Sequence, residues 1–417
     1  WLTLAAFSLP LLLTALSRRD AMAAKGITLD EAIARALKIA PSLELAAAQT
    51  DLNRGRIEEA RAPFFPWISG NSEYFQPSGY DKTISNGGLT QAQLALTYTA
   101  FDGGRRSALL RAARYAAQAA ALGLRAAQAQ VVFDTTVAYF DLLRASESQT
   151  ELATSVGRLA KYVNIVEALQ RSGRAITNDV LTLRVTRDAA ELSLAAARQA
   201  KAQASILLGS MMGDFGDTSL VVAEVSGLPP PPIGDFARTP AYQAAVRQLQ
   251  AAGLAVDAAR AERVPNLNLT LTTGWQGINP PKTFGHHFGA SYDGAVAVPI
   301  FQGGLVRSHI DQALAGERAA LAQQGQIELQ VRRDLAAVNV RYQGALDQLA
   351  ILHRSQQSAS DAFALDWTRF LGGGNVTILE VTNAYQQAEN LRVARYDQEF
   401  NARQAAAQAR MILGLLQ

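Results

Sequence analysis

Catalysis needs nucleophiles, bases or metal ligands, and this chain is poorly supplied with them. Its 417 residues include no cysteine, which excludes disulfides, thiolate metal sites, cysteine nucleophiles and a lipidated N-terminal cysteine. The four histidines are His286, His287, His309 and His353. His286 and His287 stand together, but no other ligand lies nearby in sequence, so the pair reads as a polar loop tip rather than a metal site. No serine, histidine and acid constellation is present, no phosphate-cradling glycine loop and no metal spacing. Neither catalytic residues nor a cofactor are expected. A formal net charge of +3 gives no electrostatic case for nucleic acid or an acidic substrate, and the arginines are scattered along helical stretches as solvated faces.

The organisation is more informative than the chemistry. Leu94, Leu96 and Tyr98 alternate into Phe101-Asp-Gly-Gly104, and a long alanine-rich run follows. The same arrangement returns where Val296, Val298 and Ile300 lead into Phe301-Gln-Gly-Gly304. Upstream, Ala60-Arg61-Ala62 with Pro66 matches Ala259-Arg260-Ala261 with Pro265. The chain is a duplication, with a period too long for a solenoid. A first repeat is expected over residues 24–209, with strands at 66–77 and 89–101, and a second over 239–417, with strands at 265–276 and 289–301. Each repeat reads helix, two strands, very long helix, shorter helix. Residues 210–238, rich in glycine and proline, form the linker. Residues 1–23 fit a signal peptide whose n-region is missing: an apolar run to Leu16, then Ala21-Met-Ala23 at a small-x-small cleavage pattern.

Thr28-Leu-Asp-Glu31 is a capping box and should open the first helix, which bends or breaks near Pro41. Prolines are absent from Ser78 to Leu228 and from Ile300 onward, so helix can run unbroken there. Heptad registers support this, Leu152, Val156, Leu159, Val163 and Val166 in one half and Leu335, Val338, Tyr342 and Ala345 in the other. About 65 residues of helix make a rod near 100 Å. Each rod ends at a glycine turn, Arg171-Ser-Gly173 or Gly372-Gly-Gly374, and a helix of half its length returns.

The strands pose the decisive problem. Leu267, Leu269 and Leu271 face one way while Asn266, Asn268, Thr270 and Thr272 face the other. Four such strands cannot shield both faces in water, and nothing else in the chain is available to cover them. In a membrane the apolar side chains meet lipid and the polar ones line a lumen, with Trp67, Tyr74, Trp275 and Tyr292 as interfacial girdles. Hydrocarbon forbids open edges, so other copies of the chain must close the barrel. A soluble periplasmic coiled-coil scaffold is the alternative reading; it leaves the strands unexplained.

In combination these features resemble the TolC family of outer-membrane efflux channels. The likeness is carried by Thr28-Leu-Asp-Glu-Ala32, by Pro299-Ile-Phe-Gln-Gly-Gly304 and by Gly374-Asn-Val-Thr-Ile-Leu-Glu-Val381, and it covers nearly the whole mature chain. It implies a mainly α fold with a membrane β part. In a homotrimer each protomer would give four strands to a twelve-stranded barrel, which an α-helical tunnel of long antiparallel, coiled-coil-like helices continues across the periplasm. Such a channel sits in the outer membrane of a Gram-negative bacterium. It is a passive duct for efflux or type I secretion, working with an inner-membrane transporter and a periplasmic adaptor. The resemblance also implies a periplasmic gate of inward acidic side chains, matched here by Glu380. The next inward position is Asn383, where the family often has an acid. Asp179, Arg174 and Arg369 surround the same turns, and Arg171, Ser172, Gly173, Gly372, Gly373 and Gly374 would meet the adaptor. For Glu380 a purely local role, a carboxylate favoured at a helix N-terminus, stands beside the gating one.

Overall fold

The computed structural model describes residues 26–85, 87–278 and 288–416. The expected signal segment, the His286 and His287 pair and most of the loop after residue 278 lie outside them. Helix α1, Leu29–Ile39, opens on the capping box: Thr28 Oγ1 accepts from the Glu31 amide at 3.3 Å, and Glu31 accepts from the Thr28 amide at 3.1 Å. It stops at Ala40, because the residue before a proline is pushed out of the helical region, and α2 runs from Pro41 to Arg61. Strands β1, Trp67–Phe75, and β2, Leu89–Phe101, follow, then the rod α3, Arg105–Arg171, and the returning helix α4, Thr177–Met212. The second half repeats the order with α5, Pro240–Ala261, β3, Asn266–Ile278, β4, Phe288–Ala297, the rod α6, Leu305–Leu371, and α7, Ile378–Leu413. Both rods are 67 residues long and both returning helices 36. At 1.5 Å per residue each rod measures about 100 Å.

The chain divides into two compact units. Residues Leu45–Leu124 and Pro240–Leu329 make one, which holds the sheet; Arg125–Thr239 and Gln330 onward, with the segment up to Glu44, make the other. In the first, the strands form one antiparallel sheet in the order β1-β2-β3-β4. Strand β4 ends at Ala297, short of the residue 301 that the alternating pattern suggests, and Pro299, which has no N–H for a ladder, lies in the remainder.

The second unit is built of helices around alanine-rich seams. Val338, Tyr342 and Ala345 of α6, the expected heptad positions, are buried against Ala402, Ala405 and Ala409 of α7. The segment between the halves docks on helices through its backbone. The carbonyls of Ala223, Val225 and Leu228 accept from Tyr139, Arg403 and Tyr342 at 2.7, 3.1 and 2.9 Å. Burial pushes the fully enclosed Tyr139 hydroxyl up to about 12, outweighing its bond to Ala223, so it stays a donor at any physiological pH. Among the described residues no helix is long and apolar enough to cross a membrane.

Candidate functional site

Two places in the chain answer to the expected function: the sheet and the two helical turns. In the sheet, cross-strand partners share a face, so the register sorts every side chain. Leu96 lies opposite both Ile68 and Leu271, and Leu271 opposite Tyr292, which puts all four on one apolar face. Trp275 and Phe288 pack edge to face on the same side, 5.3 Å between centroids, and Tyr74 belongs to that side too. The other face carries Gln93, Thr97, Asn268, Thr270 and Asp293, tied by bonds such as Thr99 Oγ1 to Asn268 Oδ1 at 2.9 Å. Trp67 lies opposite Thr97 and therefore falls on this polar face. It is not part of an outer girdle with Tyr74, Trp275 and Tyr292, as its residue type alone suggested. Leu94, Leu269, Trp275 and Tyr292 remain exposed, while on the other face Gln93, Thr97, Asn268 and Thr270 are half-buried and Asp293 is exposed; among the described residues β1 and β4 each leave one edge unpaired.

The turns are twin constructions. Gly173 and Gly373 both adopt left-handed φ, 72° and 74°, and the next amide reaches back to close the last helical turn: Arg174 N to Leu169 O at 2.9 Å, and Gly374 N to Arg369 O at 2.8 Å. A non-glycine side chain would be strained there, which accounts for the glycine at each rod end. The following helices start alike. Asp179 accepts from the Ile176 amide at 3.0 Å, and Glu380 accepts from the Thr377 amide at 2.7 Å while Thr377 Oγ1 accepts from Glu380 N at 3.3 Å. The backbone and hydroxyl bonds of Thr377 hold the Glu380 carboxyl below the usual carboxylate range. Glu380 is thus the acidic member of a capping box, and within one copy it makes no ion pair with Arg174 or Arg369 among the described residues. Asn383, Arg369, Arg171 and Ser172 are exposed. Arg174 does something the sequence did not reveal: its Nη2 donates to Leu371 O at 2.7 Å and so ties the first turn to the second.

Beneath the turns lie two layers that sequence reading missed. The first is aromatic, with Tyr162 4.6 Å from Trp367 and Phe363 5.2 Å from Tyr385, packed on Leu159, Val163, Leu183 and Val381. Such ring pairs contribute about 0.5–1.5 kcal/mol each beyond their area. The second is ionic. Arg158 bridges Glu151 and Glu389 at 2.8 Å each, Arg392 closes the square on both carboxylates, and Tyr385 bonds to Ser155 at 2.7 Å. Burial raises the Glu389 carboxyl above its ordinary value, against the pull of Arg158 and Arg392. Nothing in single residues signals this square; only the three-residue spacing of Glu389 and Arg392 hints at a pair.

A four-stranded sheet that is apolar on one face, polar on the other and open at both edges, carried on proline-free helical rods, defines a subunit of an outer-membrane channel. The outer membrane efflux protein family model matches residues 32–214 and 236–415, and the chain belongs to that family. TolC of Escherichia coli is 27% identical over 396 residues, 87% of this chain and 78% of TolC. CyaE of Bordetella pertussis is 28% identical over 305 residues; the aligned part is 69% of this chain and spans only 63% of CyaE. Among solved structures, VceC of Vibrio cholerae superposes with a TM-score of 0.83 at 20% identity, covering 93% of this chain and 97% of VceC. CusC gives 0.84 at 18% identity, covering 93% and 92%. At such identities the structural likeness establishes the fold. The match places the chain among outer-membrane efflux and secretion channels, a family of channel proteins, and disfavours the scaffold alternative.

Proposed function

We propose that the protein is the exit duct of a tripartite efflux or type I secretion system. Three copies close their sheets into one twelve-stranded barrel in the outer membrane, and the rods continue it as a tunnel through the periplasm. Family channels are trimers that work with an adaptor and an inner-membrane transporter, and this chain has the parts for the same assembly. The observation that carries the reading is the sheet, whose exposed apolar face and open edges suit lipid on one side and further copies at each end. No chemical step is assigned to the chain; solute passes through it unchanged.

In this reading the turns at Arg171–Gly173 and Gly372–Gly374 meet the adaptor. Glu380 forms a ring of three carboxylates near the tunnel mouth, with Asn383 uncharged on the next turn. Arg174, already bonded to Leu371 O, holds the two turns closed. Planar-bilayer recordings test this. Glu380→Gln should weaken cation selectivity, and Arg174→Ala or Arg369→Ala should raise the open fraction. Unchanged selectivity would leave Glu380 as a helix cap alone, and absence of conductance from the purified wild-type protein would remove the duct.

A further inference from the structure

The internal repeat contains a rule for what the two open edges pair with. Pro66 and Phe101 correspond to Pro265 and Phe301, which makes Trp67 the equivalent of Asn266 and Thr97 the equivalent of Ala297. In the sheet, Trp67 stands opposite Thr97 and Asn266 opposite Ala297. The repeat therefore preserves register to the residue. That is a tight constraint, since a slip of one position would turn every side chain to the other face. Applied to the β2–β3 pairing, the same correspondence converts it into a pairing of β4 with a β1 that this copy does not supply.

We infer that β4 pairs antiparallel with β1 of a second copy in that register, Ala295 opposite Glu73 of the neighbouring copy and Asp293 opposite its Phe75. The first pair follows from Ala95 opposite Thr272, the second from Gln93 opposite Gly274. The inference rests on the barrel reading above and adds which residue meets which.

Three features that are odd in a single copy fit this seam. Strand β2 runs to Phe101 because β3 holds its last residues, after the β1 pairing has ended at Trp67 and Thr97. Their equivalents after Ala297 have no strand partner among the described residues of the copy, and Val298, Ile300 and Phe301 are 54%, 93% and 88% exposed. Pro299 is equivalent to Thr99, where the β2–β3 register shifts in a bulge, one of the few places in a sheet that tolerates a missing N–H. Finally, a Cβ added at Gly103 would lie 2.7 Å from Val264 Cβ, whereas one added at Gly303 would meet nothing within 4 Å; the equivalent of Val264 is Phe65, which is exposed.

The seam has an electrostatic consequence. Glu73 and Asp293 are the sole charged residues of the four strands, and both lie on the polar face. The inferred register sets them diagonally across the junction, about 7–8 Å apart. Each junction between copies thus brings two like charges together on the side facing the enclosed space.

The cysteine-free chain suits a crosslinking test. Ala295→Cys is combined in turn with Asn71→Cys, Glu73→Cys or Phe75→Cys in the full protein, oxidised in outer membranes and run on non-reducing gels. Asn268→Cys with Ala295→Cys, opposite one another within a copy, controls for a folded sheet. The Glu73 pair should give covalent dimers and trimers at least about fivefold above the other two, because a disulfide needs Cα atoms under about 7 Å apart. Stronger crosslinking through Asn71 or Phe75 would overturn the register and leave the barrel standing. No crosslink between copies from any pair, with the control bond formed, would overturn the seam; a protein that also ran as a monomer would take the barrel reading with it.

Discussion

The two strand-to-helix junctions share a motif and a backbone but not their side-chain contacts. In both halves the turn closes the same way, Arg105 N to Asp102 O at 3.2 Å and Leu305 N to Gln302 O at 3.1 Å. In the first, Asp102 accepts from the Arg106 amide at 2.8 Å and pairs with its guanidinium at 3.1 Å, both side chains being largely buried, and Arg106 donates to Pro63 O at 2.9 Å. In the second, Gln302 and Val306 hold those positions and no such lock exists. The glycines set the turn; neighbours decide how it is fixed. The first junction finds its neighbours in its own copy, and the second ends in exposed apolar groups that a further copy would cover.

Sheet faces should treat the halves alike. Lysine at Leu96 or Leu269 is expected to cost about 2–4 kcal/mol at the membrane midplane and to abolish outer-membrane assembly, while lysine at Thr97 or Asn268 is tolerated. Heat-modifiability on gels reads this out, and equal tolerance on both faces would argue against lipid contact. The junctions, by contrast, should separate the halves. Arg106→Ala strips a partly buried carboxylate of its partner and should lower unfolding stability in detergent by about 2–3 kcal/mol, whereas Val306→Ala should cost under about 1 kcal/mol. Gly103→Ala adds a collision with Val264 to the left-handed strain, about 2 kcal/mol together, and Val264→Ala should restore part of it. Gly303→Ala should leave the sheet of each copy intact and reduce trimer yield instead. Matching losses at both glycines within a copy would erase the distinction.

The smallest effect lies at the turns. Because the folded-state carboxyl of Glu380 is held below its ordinary value, its contribution is present above the unfolded value near 4.5 and fades as pH falls through the folded one. Glu380→Gln should flatten that acid limb in a circular-dichroism titration of the tip helices.

What could be read from sequence follows from what is local. Proline-free runs, the capping box at Thr28 and glycines at the rod ends are short-range signals, and they correspond to α1, the two rods and the two turns. The alternation of Leu267 to Thr272 showed a two-faced strand because its period is intrinsic to the backbone. Trp67 was misplaced because Pro66 to Phe75 alternates loosely and only pairing with Thr97 assigns its face. The end of β4 depends on a partner strand, which no pattern within Val296 to Phe301 reveals. The Arg158, Glu389 and Arg392 square and the Arg174 bond to Leu371 are contacts between residues far apart in sequence. For Glu380 the chain pattern allowed both a cap and a gate. The cap is present in the single copy, and the gate proposed above would need three copies to form.

Assembly is the central claim, and native mass spectrometry of the protein extracted from outer membranes in mild detergent measures it directly. A complex of three copies is predicted, and it should be lost from the outer-membrane extract when Leu269→Lys breaks the lipid-facing surface. A monomer as the membrane-extracted species, or recovery of the wild-type protein in the soluble periplasmic fraction, would contradict the account.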